Sequence, residues 1–292
     1  MLPGMAAKPT VAIIGAGNLG TALALALRRS GYEIEAILSK PLPQSRKKAR
    51  ELAKRVNARV ISAASDDLTA KVVWFSVPDA QIASAARDWS AKLNWKGKIA
   101  FHSSGALSSD VLEILRRRRT AVASVHPFMT FVSGSQPSLA GVPFAIEGDA
   151  VAIRMARRIV NDLAGLAFPL RKRDKPAYHA WGTFASPFFV ALLMAAEQVA
   201  EIAGVQPQTA RRRMMPILLQ TLANYASRGP AGAFSGPIIR GDSDTIRRHL
   251  EILRRQPAVL ELYLAMARFA IQFLPVRNRP QLTRVLCSGK PH

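Results

Sequence analysis

The sequence predicts an α/β protein in which a doubly wound Rossmann-type sheet is followed by an all-α carboxyl-terminal domain. Three observations predict this order. A glycine-rich turn follows the first apolar strand, further apolar strands alternate with helical segments, and long apolar helical segments without strands take over from about Asp174. Alternating strands and helices are typical of a parallel sheet that is covered by helices. We expect the sheet domain over residues 8–171 and the helical domain over residues 172–292.

The composition supports a folded, cationic protein of two domains. The 292 residues exceed the usual size of one domain, and 41 Lys and Arg residues against 19 Asp and Glu residues give a formal charge of +22. A hydrophobic content of 49% excludes a disordered basic tail, because disorder requires low hydrophobicity as well as high charge. The single cysteine, Cys287, permits neither an intrachain disulfide nor a cysteine zinc site, and we expect no metal.

The apolar segments favour a protein of the cytoplasm. The first ten residues lack the apolar core of a signal peptide. The most apolar window, residues 181–196, is broken by Ser186-Pro187 and is too short for a bilayer core of about 30 Å. We therefore expect a buried helix in this window.

The first strand and the turn after it carry a dinucleotide-binding pattern. The apolar run Val11–Ile14 ends in GxGxxG, and apolar residues then recur at helical spacing. In this pattern Gly15 allows the tight turn, Gly17 lets the backbone approach a pyrophosphate, and Gly20 lets helix and strand pack closely. The positive end of the helix favours the phosphates. The candidate cofactor contacts in this turn are Gly15, Gly17, Asn18, Leu19 and Gly20.

The end of the second strand favours NADP(H) over NAD(H). NAD enzymes place Asp or Glu here to bind the ribose hydroxyls, whereas this sequence has Ser39 and Lys40, followed by Arg46. A 2′-phosphate is repelled by a carboxylate and attracted by hydroxyl and basic groups. The alternative is that residues Arg46 to Lys48 belong to the solvated start of a helix. Val77 and Pro78, after a later strand, complete the candidate cofactor contacts.

Polar residues also follow the later strands, at the edge of the sheet where ligands bind. A strand at 99–102 leads into Ser103, Ser104 and Gly105, and a strand at 121–125 leads into His126. Hydroxyl and backbone N–H groups at such a position suit a substrate carboxylate, although the serines are also suited to cap a following helix. We expect His102, Ser103, Ser104 and Gly105 to bind substrate, and His126 to be structural.

Prolines and capping residues mark the helices of the second half. Pro207 and Pro257 fit first-turn positions, and Pro216 is expected to divide a helix. Asp242 or Ser243 is suited to cap the helix that follows.

These motifs, taken together, resemble the family of Rossmann-like and DUF2520 domain-containing proteins. The resemblance rests on the glycine-rich turn, Val77-Pro-Asp, His102-Ser-Ser-Gly, Ser124-Val-His-Pro-Phe-Met-Thr-Phe, Lys175-Pro-Ala-Tyr-His-Ala and Gly236-Pro-Ile-Ile-Arg-Gly-Asp, and it covers nearly the whole chain. The family is related to pyrroline-5-carboxylate reductases, 3-hydroxyacid and 6-phosphogluconate dehydrogenases and F420-dependent NADP oxidoreductases. Some members are similar to an alternative ketopantoate reductase. The chain departs from the family at Pro187, where Asn is frequent.

The resemblance implies catalytic roles for two residues at the start of the helical domain. In the related hydroxyacid dehydrogenases a lysine at this place donates the proton, which corresponds to Lys175 here. His179 lies one helical turn further on and is suited to orient the substrate or relay the proton. The alternatives are a surface lysine and a packed core histidine. Arg240 either binds an acidic substrate or pairs with Asp242.

Three functions are compatible with the sequence. The first is an NADP-dependent oxidoreductase that reduces a small, carboxylated keto or imino substrate in the cleft between the two domains. The second is a regulatory protein that binds NADP without turnover, which the departure at Pro187 favours. The third is nucleic-acid binding through arginine runs such as 116–119, but these runs lack interleaved aromatic residues. Kinship with the related enzymes implies a homodimer through the helical domain and gives no reason to expect a membrane partner.

Overall fold

The computed structural model of the chain describes residues 7–62 and 68–288. Contacts between residues divide the chain into two compact units, and the boundary between them in the sequence lies between Ser186 and Pro187. The predicted domains, 8–171 and 172–292, stay a prediction, and the last residues of the second domain lie outside the described part of the chain.

The first unit is an eight-stranded sheet with helices on its faces. Its strands are β1 (Val11–Ile14), β2 (Ile34–Leu38), β3 (Arg59–Ile61), β4 (Val72–Phe75), β5 (Ile99–His102), β6 (Ala121–Pro127), β7 (Pro143–Gly148) and β8 (Leu166–Pro169). Its helices are α1 (Asn18–Arg29), α2 (Pro43–Val56), α3 (Asp79–Ser90), α4 (Glu113–Arg116), α5 (Ala150–Asp162) and α6 (Lys175–Ala185), with short 3₁₀ turns at Ser109–Leu112 and Lys172–Asp174.

The strand order confirms the predicted doubly wound sheet. The strands lie in the order β3-β2-β1-β4-β5-β6-β7-β8, and only the β6–β7 pair is antiparallel. Every residue of β1, β4 and β5 is buried, because helices cover both faces of a parallel sheet. The parallel strands bring the carboxyl ends of β1, β2, β4 and β5 to one edge.

Two apolar layers on opposite faces of this sheet form the core. One includes Ile13, Trp74 and Phe101, and the other includes Ile14, Phe75 and Trp95. The layers separate residues that are adjacent in sequence, because successive side chains of a strand point to opposite faces. This packing holds the strand ends, and therefore the candidate site, in a rigid frame.

The second unit is helical, as the sequence predicts. Its helices are α7 (Pro187–Ile202), α8 (Pro207–Ala233), α9 (Pro237–Arg240), α10 (Ser243–Leu253), α11 (Pro257–Phe273) and α12 (Arg279–Ser288). Helices α10, α11 and α12 share an apolar core that includes Ile246, Leu260 and Leu282. Asp242 caps α10 by accepting a hydrogen bond from the backbone of Thr245 at 3.0 Å.

Two helical expectations are wrong. Pro216 does not divide α8, and the break lies instead at Gly229, which has a φ of 69°. The apolar window 181–196 is not a buried helix. It is split between α6 and α7, and α7 has no buried residue at all. The whole stretch of residues 172–202 passes a length and composition test for a membrane span, which is weak evidence when a single stretch passes.

Candidate cofactor and active site

The glycine-rich turn has the geometry that a bound dinucleotide requires. Gly15 has a φ of 102°, a conformation that side chains disfavour. A Cβ atom at Gly20 would lie 2.1 Å from the backbone oxygen of Gly15, so this glycine is required for α1 to pack against the turn. A Cβ at Gly17 would have no protein atom within 4 Å. Gly17 therefore faces open space, where a ligand is able to approach the backbone.

A cavity of about 310 Å³ lies beside this turn at the ends of β1, β2 and β4. Of the predicted cofactor contacts, it is lined by Gly15, Gly17, Ser39, Lys40, Val77 and Pro78. Its size lies near the lower limit for small-molecule sites. The basic and hydroxyl groups gather at the end of β2, as the NADP hypothesis requires.

Unsatisfied polar groups mark the same region. Three buried side-chain atoms have no hydrogen-bond partner among the described residues. They are the Oγ atom of Ser39, the Nε atom of Arg46 and the Oγ atom of Ser76, which follows β4. Buried polar groups are rarely left unpaired, so these atoms are suited to receive a ligand. The ammonium of Lys40 donates to the side chain of Gln81 at 3.0 Å, which holds it at the cavity.

Two predicted contacts are used within the protein. The amide of Asn18 donates to the backbone oxygen of Phe131 at 3.1 Å, and Leu19 packs against the core. The sequence reading missed Ser45 and Lys48, which also line the cavity. They lie in the first turns of α2. Because they follow the Ser39-Lys40 pair closely in sequence, they could have been predicted as further contacts of a 2′-phosphate.

Lys175 is the central group of a second cluster at the ends of β5 and β6. Its side chain is fully buried, and its ammonium donates to the backbone oxygen of Ser104 at 3.1 Å and to the hydroxyl of Ser124 at 2.7 Å. Burial lowers the pKa of Lys175 to about 8, although the negative charges of Glu147 and Asp79 oppose the change. The surface-lysine alternative is therefore wrong. The ammonium does not reach solvent in this structure.

His102 lies inside the protein, and its predicted contact with substrate stays a prediction. The residue is fully buried, its Nδ1 accepts from the backbone N–H of Ser104 at 3.1 Å, and its Nε2 lies 3.1 Å from the backbone oxygen of Ser108. Burial, with a smaller effect of the Lys175 charge, lowers the pKa of His102 to about 3. This histidine is a neutral part of the framework with both ring nitrogens engaged.

The hydroxyls of Ser103 and Ser104 are also engaged. Ser103 accepts from the indole N–H of Trp74 at 2.7 Å. The hydroxyl of Ser104 donates to Asp79 at 2.5 Å and accepts from the backbone N–H of Leu107 at 2.9 Å. The bond from Leu107 makes Ser104 a cap for the following turn, which is the capping role that the sequence offered as an alternative to substrate binding. The hydroxyl hydrogen of Ser104 is therefore committed to Asp79, whereas among the described residues no acceptor is found for the hydroxyl hydrogen of Ser103.

The surface of this cluster is formed by two histidines around Gly105. A Cβ atom at Gly105 would lie 2.9 Å from His126 Nε2 and 3.0 Å from His179 Cδ2, so only glycine fits between the two rings. His179 is exposed, one turn beyond Lys175 on α6, so it is not a packed core histidine. His126 Nδ1 lies 2.8 Å from the hydroxyl of the buried Tyr178.

His126 has a structural bond, as expected, but it also faces the site. Burial, followed by the charges of Lys175 and His179, lowers its pKa to about 4. Phe128 and Trp181 pack beside Tyr178 and form an aromatic wall at this place. Sequence reasoning missed Tyr178, which lies within the quoted Lys175-Pro-Ala-Tyr-His-Ala motif.

Arg240 belongs to the second unit and does not form the predicted ion pair. Asp242 uses its carboxylate on the backbone and hydroxyl of Thr245, and no carboxylate among the described residues lies within 4 Å of Arg240. These bonds from Thr245, with smaller effects of Arg240 and Arg248, hold the pKa of Asp242 below its ordinary value. Over residues 7–62 and 68–288, no cluster of three potential metal ligands is found.

The family comparison matches two regions of the chain. Residues 5–127 match the Rossmann-like domain family, and residues 142–270 match the family described as domain of unknown function DUF2520. A comparison with curated proteins gives no match.

Solved structures share the fold across almost the full chain. Protein BF3122 from Bacteroides fragilis, named as a "putative NADP oxidoreductase", is 24% identical, with a TM-score of 0.75 over 89% of this chain and 97% of that chain. An imine reductase from Pseudomonas sp. is 20% identical, with a TM-score of 0.62 over 96% and 100% of the two chains. A pyrroline-5-carboxylate reductase from Coxiella burnetii is 13% identical, with a TM-score of 0.59 over 97% and 98%.

Proposed function

Because the chain belongs to the proteins that join a Rossmann-like domain to a DUF2520 domain, we propose that it is an NADP-dependent oxidoreductase. Its substrate is a small, carboxylated keto or imino compound, of which ketopantoate is one example. The structures that share its fold include imine and pyrroline-5-carboxylate reductases, which supports reduction of a C=N or C=O bond.

One observation carries the cofactor proposal. The cavity beside Gly17 combines an open backbone approach with Ser39, Lys40 and the nearby Arg46, and carries no carboxylate at the end of β2. The Ser39 hydroxyl and the Arg46 Nε are buried without protein partners, and an anionic 2′-phosphate would satisfy both. Asp88 also lines the cavity, but it lies on α3 rather than after β2. The residues therefore fit NADP(H).

When bound, the cofactor supplies a hydride to the carbon of the C=O or C=N bond. The protein must then supply a proton to the oxygen or nitrogen. His179 is exposed beside Gly105 and is suited to contact the substrate and pass this proton on. Lys175, buried one turn before it, supplies positive charge for the developing anion and acts as the acid of the cluster.

The test of the reaction is NADPH consumption with a panel of 2-oxo acids, ketopantoate and cyclic imino acids, followed by absorbance near neutral pH. We expect steady consumption with at least one compound. The Lys175→Met variant should lower turnover by about 10²–10⁴-fold and leave NADPH affinity unchanged. Equal turnover in the two proteins would dismiss Lys175 from the catalytic step.

A second candidate function is NADP binding without turnover. The full burial of Lys175 and the engagement of the Ser104 hydroxyl favour it, since neither group is free to meet a substrate carboxylate. Pro187 stands where the family frequently has Asn. Under this proposal NADPH binds as tightly, but none of the panel compounds is reduced.

We also propose that a second copy of the chain covers α7 and α8. These helices expose large apolar side chains: Phe188, Val190, Met194, Met215, Ile217, Leu219, Leu222 and Tyr225. Exposed apolar patches of this extent are typical of interaction sites. Light scattering tests the homodimer, and Ile217→Asp with Leu222→Asp should give a monomer if these helices form the interface. The compartment that suits a reductase of this kind is the cytoplasm.

A further inference from the structure

The second unit contains a surface hollow that the reductase proposal does not use. The hollow has a volume of about 620 Å³, and its lining residues are Ile239, Arg240, Pro275, Val276, Arg277 and Arg279. It lies between α9 and the segment that joins α11 to α12. We call it the arginine hollow. Ile239 and Arg240 of its wall belong to the Gly236–Asp242 motif. Arg240 does not form the ion pair with Asp242 that the sequence suggested.

The backbone around the arginine hollow is held in place by close contacts. The N–H of Arg277 donates to the backbone oxygen of Ile239 at 3.1 Å. Gly241 has a φ of 73°, and a Cβ atom there would lie 2.7 Å from the backbone oxygen of Arg277. Val276 and Ile238 pack against the apolar core of α10, α11 and α12. The two walls are therefore joined directly by backbone contacts.

Three arginines line this hollow, and none of them forms an ion pair among the described residues. Over the described residues, the guanidinium groups of Arg240, Arg277 and Arg279 have no carboxylate within 4 Å. Arg279 donates to the backbone oxygen of Leu274 at 2.8 Å, which leaves its other N–H groups available. The carboxylate nearest in sequence, Asp242, is held by Thr245.

Several arginines that line one concave site are suited to bind oxyanions. Each presents several N–H donors in a planar fork that matches carboxylate or phosphate oxygens. A hollow of about 620 Å³ also has the size of a small-molecule site, whereas a nucleic acid requires an extended basic surface. Apolar atoms of Ile239, Pro275 and Val276 provide the remaining wall.

We propose that the arginine hollow binds a small molecule that carries clustered anionic oxygens, which is either a phosphate ester or a polycarboxylate. Arg240 and Arg277 bind the anionic group from opposite walls, and Arg279 supports them. The site belongs to the second unit, and the binding that we propose does not require the protein to catalyse a reduction.

The experiment is calorimetric titration of the full-length protein with pyrophosphate and, separately, with citrate at 150 mM salt, on the order of physiological ionic strength. The test variant is Arg240→Gln with Arg277→Gln. The matched control is Arg254→Gln with Arg255→Gln, which removes the same charge from exposed positions of the same unit. We expect the test variant to lose at least about tenfold in affinity for one probe, and the control to change by less than about twofold.

The outcomes separate a specific site from general charge. Preference for pyrophosphate identifies a phosphate ligand, and preference for citrate identifies a polycarboxylate. Equal weakening in both variants, or no binding of either probe at millimolar concentration, would overturn the proposal. Pyrophosphate also suits the turn at Gly17, so ¹⁵N-arginine spectra of the wild-type protein provide a second reading. The Nε signals of Arg240 and Arg277 must shift on titration, and unshifted signals count against the site even if the variants fold poorly.

Discussion

The substitution Gly17→Ala separates cofactor binding from stability. Gly17 precedes α1 with a φ of −76°, a conformation that alanine adopts readily, and the added Cβ would meet no protein atom within 4 Å. The expected cost to the free energy of unfolding is at most about 1 kcal/mol, because alanine is a poorer helix cap than glycine. The folded protein should therefore survive the change.

The same Cβ would occupy the space through which a pyrophosphate approaches the backbone. Loss of one charge-assisted hydrogen bond costs about 1.5–3 kcal/mol, which corresponds to roughly a 10- to 150-fold rise in the Kd for NADPH. The measurement is a fluorescence titration with NADPH, accompanied by thermal unfolding of the same sample.

The matched control is Gly20→Ala, three residues further along the turn. Its Cβ would lie 2.1 Å from the backbone oxygen of Gly15, so this variant must shift its backbone and should unfold at a clearly lower temperature. If Gly17→Ala binds NADPH as tightly as the wild-type protein, the glycine-rich turn does not hold the pyrophosphate and the reasoning is refuted.

Three further predictions concern charge. Lys40→Ala with Arg46→Ala should weaken NADPH binding by about 10- to 100-fold and leave NADH binding unchanged, as a competition titration will show; equal losses would contradict a 2′-phosphate contact. The pKa of Lys175 falls from 10.5 to about 8 on folding, so the unfolded chain binds more protons between these values and stability due to this group rises with pH. In urea unfolding, the free energy of unfolding of the wild type should rise by up to about 3 kcal/mol relative to that of Lys175→Met between pH 8 and 10.5. If the difference between the two free energies does not change with pH, Lys175 is not buried as described. By NMR, His126 should stay neutral down to about pH 4, and Lys175→Met should raise its pKa; titration near 6.5 in the wild type would disprove the assignment.

The sequence was most informative where strands are continuous apolar runs. β1 and β5 have the predicted bounds, because burial on both faces of a parallel sheet favours runs of apolar residues. β3, β7 and β8 were missed. β3 and β8 each have an exposed residue in a short strand at an edge of the sheet, so their patterns resemble that of a loop.

The site was predicted in part, for physical reasons that differ between residues. Gly15, Gly17 and Gly20 have roles defined by backbone geometry, which a local motif carries. By contrast, the engagement of His102 with Ser104 and Ser108 depends on how the chain turns after β5. The contact between His126 and Tyr178 joins residues far apart in sequence, and no local pattern indicates it.

The helical half illustrates the limit of local signals. Pro216 was expected to end a helix, yet α8 continues through it, and the real break is at Gly229. Burial of α7 was inferred from its apolar residues, but none of them is buried, and Phe188, Val190 and Met194 are exposed. Hydropathy alone does not distinguish a helix that packs within its own chain from one whose apolar side chains form an exposed interaction surface.

The most direct test of the central claim is a fluorescence titration of the wild-type protein with NADPH and with NADH under identical conditions. We expect NADPH to bind at least about tenfold more tightly than NADH, because Ser39, Lys40 and Arg46 gather at the end of β2, where a 2′-phosphate would lie. Binding of neither nucleotide, or a preference for NADH, would contradict this expectation.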